Sequence, residues 1–283
     1  MGAGLAAVPV RAADRNRRGR PATCAGQPRP ADSGKDRSPG AAAPCEAPLA
    51  MRCAGVPMAF PDIVAVVPVK DFGNAKQRLS SAFPPAFRRA LATTMLEDVL
   101  AALAGARSLA GILVVTVEPQ AAALARRYGA EVSADGAADG HTAAVVAGGR
   151  TLAARGVGGM LALPGDIPGV TPAEIDAVLA AHRAPGRPAR AFTIVPSHDE
   201  RGSNAIVATP PDVVPLAYGD DSFLPHLAKA RELGLEPVAL PLPGIGMDVD
   251  HPVDLAALAA KPWATLTHAF LRRSEIFAAA RPG

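Results

Sequence analysis

Near the end of the chain, the stretch GIGMDVD (Gly244 to Asp250) places two carboxylates two positions apart behind a pair of glycines. Acids at i and i+2 of an extended segment point to the same side. Asp248 and Asp250 therefore repel each other unless water solvates them or a cation sits between them. A third acid, Asp166, stands in LALPGDIPGVT just past an apolar run, bracketed by Gly165 and Pro168. Its carboxylate suits magnesium, which takes one or two carboxylates and leaves its other positions to water and phosphate. Aspartate also favours plain turns. Three unneutralised carboxylates packed together would be costly, so Asp166, Asp248 and Asp250 are read as metal ligands if the fold brings them together.

The opposite charge comes from VPVKDFGNAKQRLS, where Lys70, Lys76 and Arg78 lie between an apolar run and a helical pattern. Cations in such a loop suit phosphate, although a solvated basic loop reads the same way. It is not a Walker loop, and no G-x-G-x-x-G occurs in the chain. RGSN and YGDDS offer the hydroxyls of Ser203 and Ser222, the amide of Asn204 and open backbone at Gly202 and Gly219. That set makes an anion cradle; helix capping by Asp220, Asp221 or Ser222 is the alternative. SHDERGSN contains Ser, His and Asp in a row, but adjacent residues do not line up as nucleophile, base and orienter. His141, His182, His198, His226, His251 and His268 are scattered, and none is read as a metal ligand.

The elements that must position these groups follow from periodicity. IVAVVPV (Ile63–Val69) is a β-branched run expected to be a strand buried on both faces. Phe87, Leu91, Met95, Leu96, Val99, Leu100 and Leu103 recur at helical spacing after Pro84. Strand GILVVTV, helix PQAAALARRYG closed by Gly129 and short strand AEV come next. TAAVVAGGRTLAARG is a helix weakened by Gly148 and Gly149. GGMLALPGDIPGVTPAEI gives strand, loop and helix, with a capping box from Thr171 to Glu174. AFTIVPS and NAIVATPP are strands, SFLPHLAKARELG a helix, EPVALPLPG and GMDVD strand pieces, and PVDLAALAA a closing helix. Alternation of this kind predicts an α/β domain with a mainly parallel sheet flanked by helices. Ligands bind beyond the carboxyl ends of strands in such sheets, where the cations and the carboxylates converge.

Composition narrows the partners. Apolar residues make up 49% of the 283-residue chain and charged residues 19%, enough for a real core. The pI near 9.0 invites a nucleic-acid reading, but residues 1–58 hold nine Lys/Arg against four acids. The remaining 225 residues keep 20 of the 29 bases and 22 of the 26 acids, so the body is slightly acidic. With two Tyr and one Trp, no aromatic platform for nucleic acid is expected. Cys24, Cys45 and Cys53 all fall in the leading segment and fit no zinc spacing. The cysteine-free body suits a reducing cytosol, and no apolar run is long enough to span a membrane. Residues 1–58 read as a disordered basic extension, with translation starts at Met51 or Met58 as an expectation. Residues 59–262 form the domain, and residues 263–283 a C-terminal extension with one more helix.

Taken together and in order, VPVK…AKQRLS, LPGDIP, RGSNAI, YGDDSF…H and GMDVDHPVDL resemble the guanylyltransferases of deazaflavin (coenzyme F-420) biosynthesis, the 2-phospho-L-lactate / phosphoenolpyruvate guanylyltransferase family. The resemblance covers roughly Ile63 to Ala260. It implies a nucleotide-diphospho-sugar-transferase-like fold and transfer of GMP from GTP to a small phosphocarboxylate (phosphoenolpyruvate, 2-phospho-L-lactate or 3-phospho-D-glycerate), with release of pyrophosphate. It also implies a magnesium ion on Asp166, Asp248 and Asp250, an acceptor on Ser203, Gly219 and Ser222, and triphosphate on Lys70, Lys76 and Arg78. Ser203 stands where the family usually has Thr, and Thr142 of GHTAAV (after Gly140) where it typically has an amide side chain near the nucleotide. Passage of an unstable product to a downstream transferase is a further implication, and a homodimer is the base-rate expectation. The competing readings are another nucleotidyltransferase, for a sugar phosphate or the molybdenum cofactor, and a non-catalytic nucleotide-binding regulator.

Overall fold

The computed structural model describes residues 62–74 and 76–280; the expectations for residues 1–58, including all three cysteines, lie outside them. Seven strands form one sheet: β1 (Ile63–Val69), β2 (Gly111–Thr116), β3 (Glu131–Ser133), β4 (Gly159–Ala162), β5 (Ala191–Pro196), β6 (Ser203–Thr209) and β7 (Val238–Ala239). Their order is β3-β2-β1-β4-β6-β5-β7. Neighbours run parallel except at β6, which is antiparallel to both β4 and β5. The expected mainly parallel α/β fold is therefore present, with one reversed strand. That reversal puts the first residues of β6, Ser203 and Asn204, at the same edge as the carboxyl ends of the other strands.

Both faces of the sheet are covered, which is why β1 reads as an unbroken apolar run. Ile63, Ala65 and Val67 pack with Leu96, Val99, Leu100 and Leu103 of α1 (Pro85–Gly105) and with Ile175 and Val178 of α4 (Pro172–His182). α2 (Pro119–Arg127) adds Ala121, Leu124 and Ala125 to this layer. Val66 points the other way, among Leu113, Val115, Met160 and Ile194, under α3 (His141–Ala154) and α5 (Phe223–Glu232). The two glycines of α3 are contact residues rather than mere weaknesses. A Cβ on Gly148 would lie 2.6 Å from Val66 Cγ1, so its absence lets the helix sit down on β1.

Two expectations need correction. Only Val238–Ala239 of the last predicted strand pieces pairs in the sheet, and GMDVD forms no ladder. Its alternation survives without one, because Met247 and Val249 turn into a third apolar cluster while Asp248 and Asp250 stay half-buried outside it. The capping box on α4 forms only by half. Thr171 Oγ1 accepts from Glu174 N at 3.2 Å, but the Glu174 carboxylate accepts from Gly244 N at 2.8 Å instead of returning to the cap. Gly244 is needed there, since a Cβ would come within 2.2 Å of Gly169 O.

The third cluster joins Phe83, Phe87, Leu91 and Met95 to Leu255 and Leu258 of α6 (Pro252–Ala259). Beyond residue 262 the chain forms α7 (Leu266–Arg273) and α8 (Glu275–Ala280) rather than one helix, and Leu271 and Phe277 complete this cluster. No helix among the described residues is long and apolar enough to cross a membrane.

Candidate active site

The carboxylates and the leading loop meet at the sheet's carboxyl edge. Val249 N donates to Asp166 O at 3.3 Å, which brings the turn after β4 against the segment before α6. Asp254, in the first turn of α6, accepts from Asp250 N at 2.9 Å and from His251 N at 2.7 Å, fixing the backbone behind Asp250. Lys76 supplies the cation. Its ammonium donates to Asp166 Oδ2 at 2.5 Å and to Asp250 Oδ1 at 3.0 Å, from a left-handed backbone position (φ 53°, ψ 46°). Arg78 reaches across the site, with Nη1 on Asp250 at 3.1 Å and Nη2 on Asp220 at 2.8 Å.

Electrostatics follow from that geometry. Burial works against the Lys76 charge, yet Asp166 and Asp250 outweigh it and raise its pKa above the ordinary value. Burial would likewise raise Asp250, but Lys76 and Arg78 hold its carboxyl below the usual range. For Asp248, burial, and then the nearby Asp166 and Asp250, push the carboxyl up, against an opposing bond from Asn204. Among the described residues no three acidic, His or Cys side chains already stand as a ready cage for a metal ion. The donor set nevertheless suits a hard cation, being all carboxylate oxygen.

Residues at the start of β6 serve two sides. Asn204 Nδ2 donates to Ile245 O at 3.0 Å and to Asp248 Oδ1 at 3.1 Å, so its amide protons are engaged inside the protein and it orients Asp248 rather than offering an anion site directly. Ser203 faces the opposite layer, where its Oγ lies 3.1 Å from Ser222 Oγ and 2.9 Å from His226 Nδ1. Ser222 opens α5 but makes no side-chain cap. The alternative caps fail too, because Asp220 pairs with Arg78 and Asp221 with Arg201. Gly219 is exposed, with open space around its Cα. Ser197 and Asp199 form a local turn in which Ser197 Oγ donates to Asp199 at 2.6 Å, with no nucleophilic triad.

On the other flank, Gly140 takes a positive φ of 99° at the start of α3, a conformation glycine adopts without strain. Thr142 Oγ1 accepts from Tyr218 N at 3.0 Å, so its hydroxyl holds the YGDDS segment. Lys70 is exposed at the end of β1. His141, Tyr218 and His226 form a row, with ring centroids 4.6 Å and 5.2 Å apart, each pair edge to face. Burial lowers the His141 pKa, and Lys70 adds to this against the opposing pull of Asp166 and Asp250. Sequence reasoning gave no individual role to His141, Tyr218 or His226, although YGDDSF…H spans the last two. The available signal was the i, i+4 spacing of Ser222 and His226 at one helix start.

Residues 63–280 match the family described as guanylyl transferase CofC like. A phosphoenolpyruvate guanylyltransferase of Conexibacter woesei is 38% identical over 194 residues, spanning 69% of this chain and 86% of that protein. One from Rubrobacter xylanophilus is 36% identical over 200 residues, spanning 70% and 94%. Among solved structures, a chain from Desulfovibrio desulfuricans G20 described as a nucleotide-diphospho-sugar transferase superposes with a TM-score of 0.57 at 21% identity, over 77% of this chain and 92% of that one. A nucleotidyl transferase from Methanothermobacter gives 0.50 at 20% identity, over 75% and 99%. At those identities the two structures speak for the fold alone, whereas the family match spans most of the chain. The chain belongs to the guanylyl transferase CofC-like family.

Proposed function

We propose that the protein transfers GMP from GTP to the phosphate of phosphoenolpyruvate, or of a closely related phosphocarboxylate, and releases pyrophosphate. The observation that carries this reading is the joint at β6: Ser203 turns its hydroxyl to the Ser222 pair while the next residue, Asn204, holds Asp248. Two consecutive residues thus tie a hydroxyl pair fit for an oxyanion to a carboxylate and cation cluster fit for a triphosphate. The names of the relatives supply the acceptor.

Lys70, Lys76 and Arg78 bind and orient the phosphates of GTP in this proposal, and Lys76 and Arg78 offset charge that builds on the departing pyrophosphate. Ser203 and Ser222, with the open backbone at Gly219, hold the acceptor. An acceptor phosphate oxygen, already anionic, attacks the α-phosphorus in line. The bond from that phosphorus to the β-phosphate bridging oxygen breaks, and pyrophosphate leaves with the electron pair as the new anhydride forms. Little general-base help is needed. Asp166, Asp248 and Asp250 would hold magnesium, which when bound supplies Lewis-acid charge to the phosphate oxygens.

The deciding experiment is pyrophosphate release from GTP and Mg2+ with phosphoenolpyruvate, 2-phospho-L-lactate and 3-phospho-D-glycerate offered separately. A transferase that consumes the guanylylated product traps it if it is unstable. Release with one acceptor, lost by at least about a hundredfold in Asp166→Ala with an unchanged circular dichroism spectrum, is the expected result. GTP binding without release for any acceptor would replace this reading with a nucleotide-binding regulator.

A further inference from the structure

His226 is buried to 2% exposure, on α5, one helical turn from Ser222. Its two ring nitrogens have different partners, and those partners fix its protons. Ala217 N donates to Nε2 at 3.0 Å, so Nε2 must carry a lone pair. Burial lowers the pKa to about 4, so the ring is neutral near pH 7 and its single proton lies on Nδ1. That proton goes to Ser203 Oγ, 2.9 Å away.

The consequence is one of hydrogen-bond accounting. Ser203 and Ser222 together own two hydroxyl protons and share one of them across 3.1 Å. With His226 and Ser222 both donating to Ser203 Oγ, neither of these bonds uses the Ser203 hydroxyl proton. One hydroxyl proton is left to point outward. At the neighbouring helix start, Phe223 N donates to Arg201 O at 2.9 Å and Pro225 has no N–H. With Nε2–H instead, the imidazole would accept from Ser203 and remove that proton from the site.

We propose that His226 is a positioning residue for the acceptor: locked by Ala217 as the Nδ1–H tautomer, it turns the Ser203–Ser222 pair into a one-way donor toward an oxyanion of the phosphocarboxylate. This rests on the reading that Ser203 and Ser222 meet the acceptor. The ligand favoured is an anion that accepts only, a carboxylate or a fully ionised phosphate oxygen, over a neutral hydroxyl or amide.

Two variants separate the roles of the ring nitrogens. His226→Gln can accept from Ala217 N but places no donor at the Nδ1 position, whereas His226→Asn places an amide N–H near Nδ1. The Michaelis constants for phosphoenolpyruvate and for GTP are measured for each, beside wild type and Ser203→Ala. In His226→Gln the constant for phosphoenolpyruvate rises about tenfold, as expected for one hydrogen bond to a charged group, and that for GTP moves less than about twofold. His226→Asn recovers most of the loss. In parallel, 15N NMR of the wild-type imidazole at pH 7 reports a protonated Nδ1 and an unprotonated Nε2. Equal rises in both constants, an unchanged constant for phosphoenolpyruvate, or an Nε2–H or imidazolium signal would each overturn the proposal. If wild type turns over none of the phosphocarboxylates, the proposed reaction falls, while the NMR result still decides the tautomer on the same protein.

Discussion

At the residue scale the unexpected feature is which cation sits among the carboxylates. The sequence reading places a magnesium ion on Asp166, Asp248 and Asp250; the structure adds the Lys76 ammonium between Asp166 and Asp250, with Asp248 held separately by Asn204. Lys76 is nearly buried (8% exposed), whereas Asp166 and Asp250 keep 33% and 38% exposure. Removing its charge leaves two carboxylates that water reaches only in part. Lys76→Met is therefore expected to cost about 1–2 kcal/mol, below the penalty for breaking a fully buried pair because both acids are partly solvated. Thermal melting in EDTA measures it. Adding Mg2+ without nucleotide should return part of the loss in the variant and little in wild type, since a divalent cation can take over the vacated charge. If melting is insensitive both to the substitution and to the metal, Lys76 does not neutralise this cluster.

At the scale of elements, α3 gives a sharp contrast between adjacent glycines. A Cβ at position 148 meets the stiff Val66 side chain at 2.6 Å, while one at position 149 meets the flexible Met160 thioether at 3.1 Å. Gly148→Ala should destabilise by about 1–3 kcal/mol despite the better helix propensity of alanine, and Gly149→Ala should lie within about 1 kcal/mol of wild type. Urea unfolding of both variants checks the pair; equal effects would mean that the spacing of α3 on β1 is not set by Gly148. A second expectation concerns acid. His182 joins α4 to the sheet through Thr193 and Thr209, at 3.0 Å and 2.7 Å. Burial, then Arg187 and Arg183, lower its pKa to about 4, and burial alone does the same for His226. Both folded-state values lie below the ordinary 6.5, so the unfolded chain binds more protons between those limits. Stability is complete above about pH 6.5 and falls toward pH 4, by on the order of 3 kcal/mol for each histidine. Unfolding midpoints across that range that stay level would contradict this. Element type was legible from periodicity because β1 and α1 carry long apolar patterns. The direction of β6 was not legible, since a strand buried on both faces has the same residues whichever way it runs. The contacts of His226 were not legible, because its partners Ser203 and Ala217 come from separate segments that only the fold brings together.

At the scale of the whole molecule, α1 is apolar on two sides because it is covered on two sides. Leu96, Val99, Leu100 and Leu103 face the sheet, and Phe87, Leu91 and Met95 face the last helices. Asp98 secures that second contact by accepting from Leu266 N, Thr267 N and Thr267 Oγ1, at 2.7, 2.8 and 2.6 Å. The segment past residue 262, which showed no chemistry as sequence, thus closes a cluster that also seats Met247 and Val249. Those two side chains flank Asp248 and set which way Asp248 and Asp250 point. Packing by the terminal helices should therefore reach the reaction as well as the fold. Leu271 (1% exposed) and Leu124 (5% exposed) are both buried leucines, but Leu124 packs in the layer of α2, away from Met247 and Val249. Truncating either to alanine should cost about 2–5 kcal/mol. Below the unfolding transition, Leu271→Ala should also lower turnover on the order of tenfold, because carboxylates that must meet phosphate oxygens tolerate little displacement. Leu124→Ala should keep it near wild type. Turnover at a temperature where circular dichroism shows both variants folded makes the comparison. Equal losses would mean only general loosening, and a loss confined to Leu271→Ala would mean that the terminal helices hold the carboxylates in place.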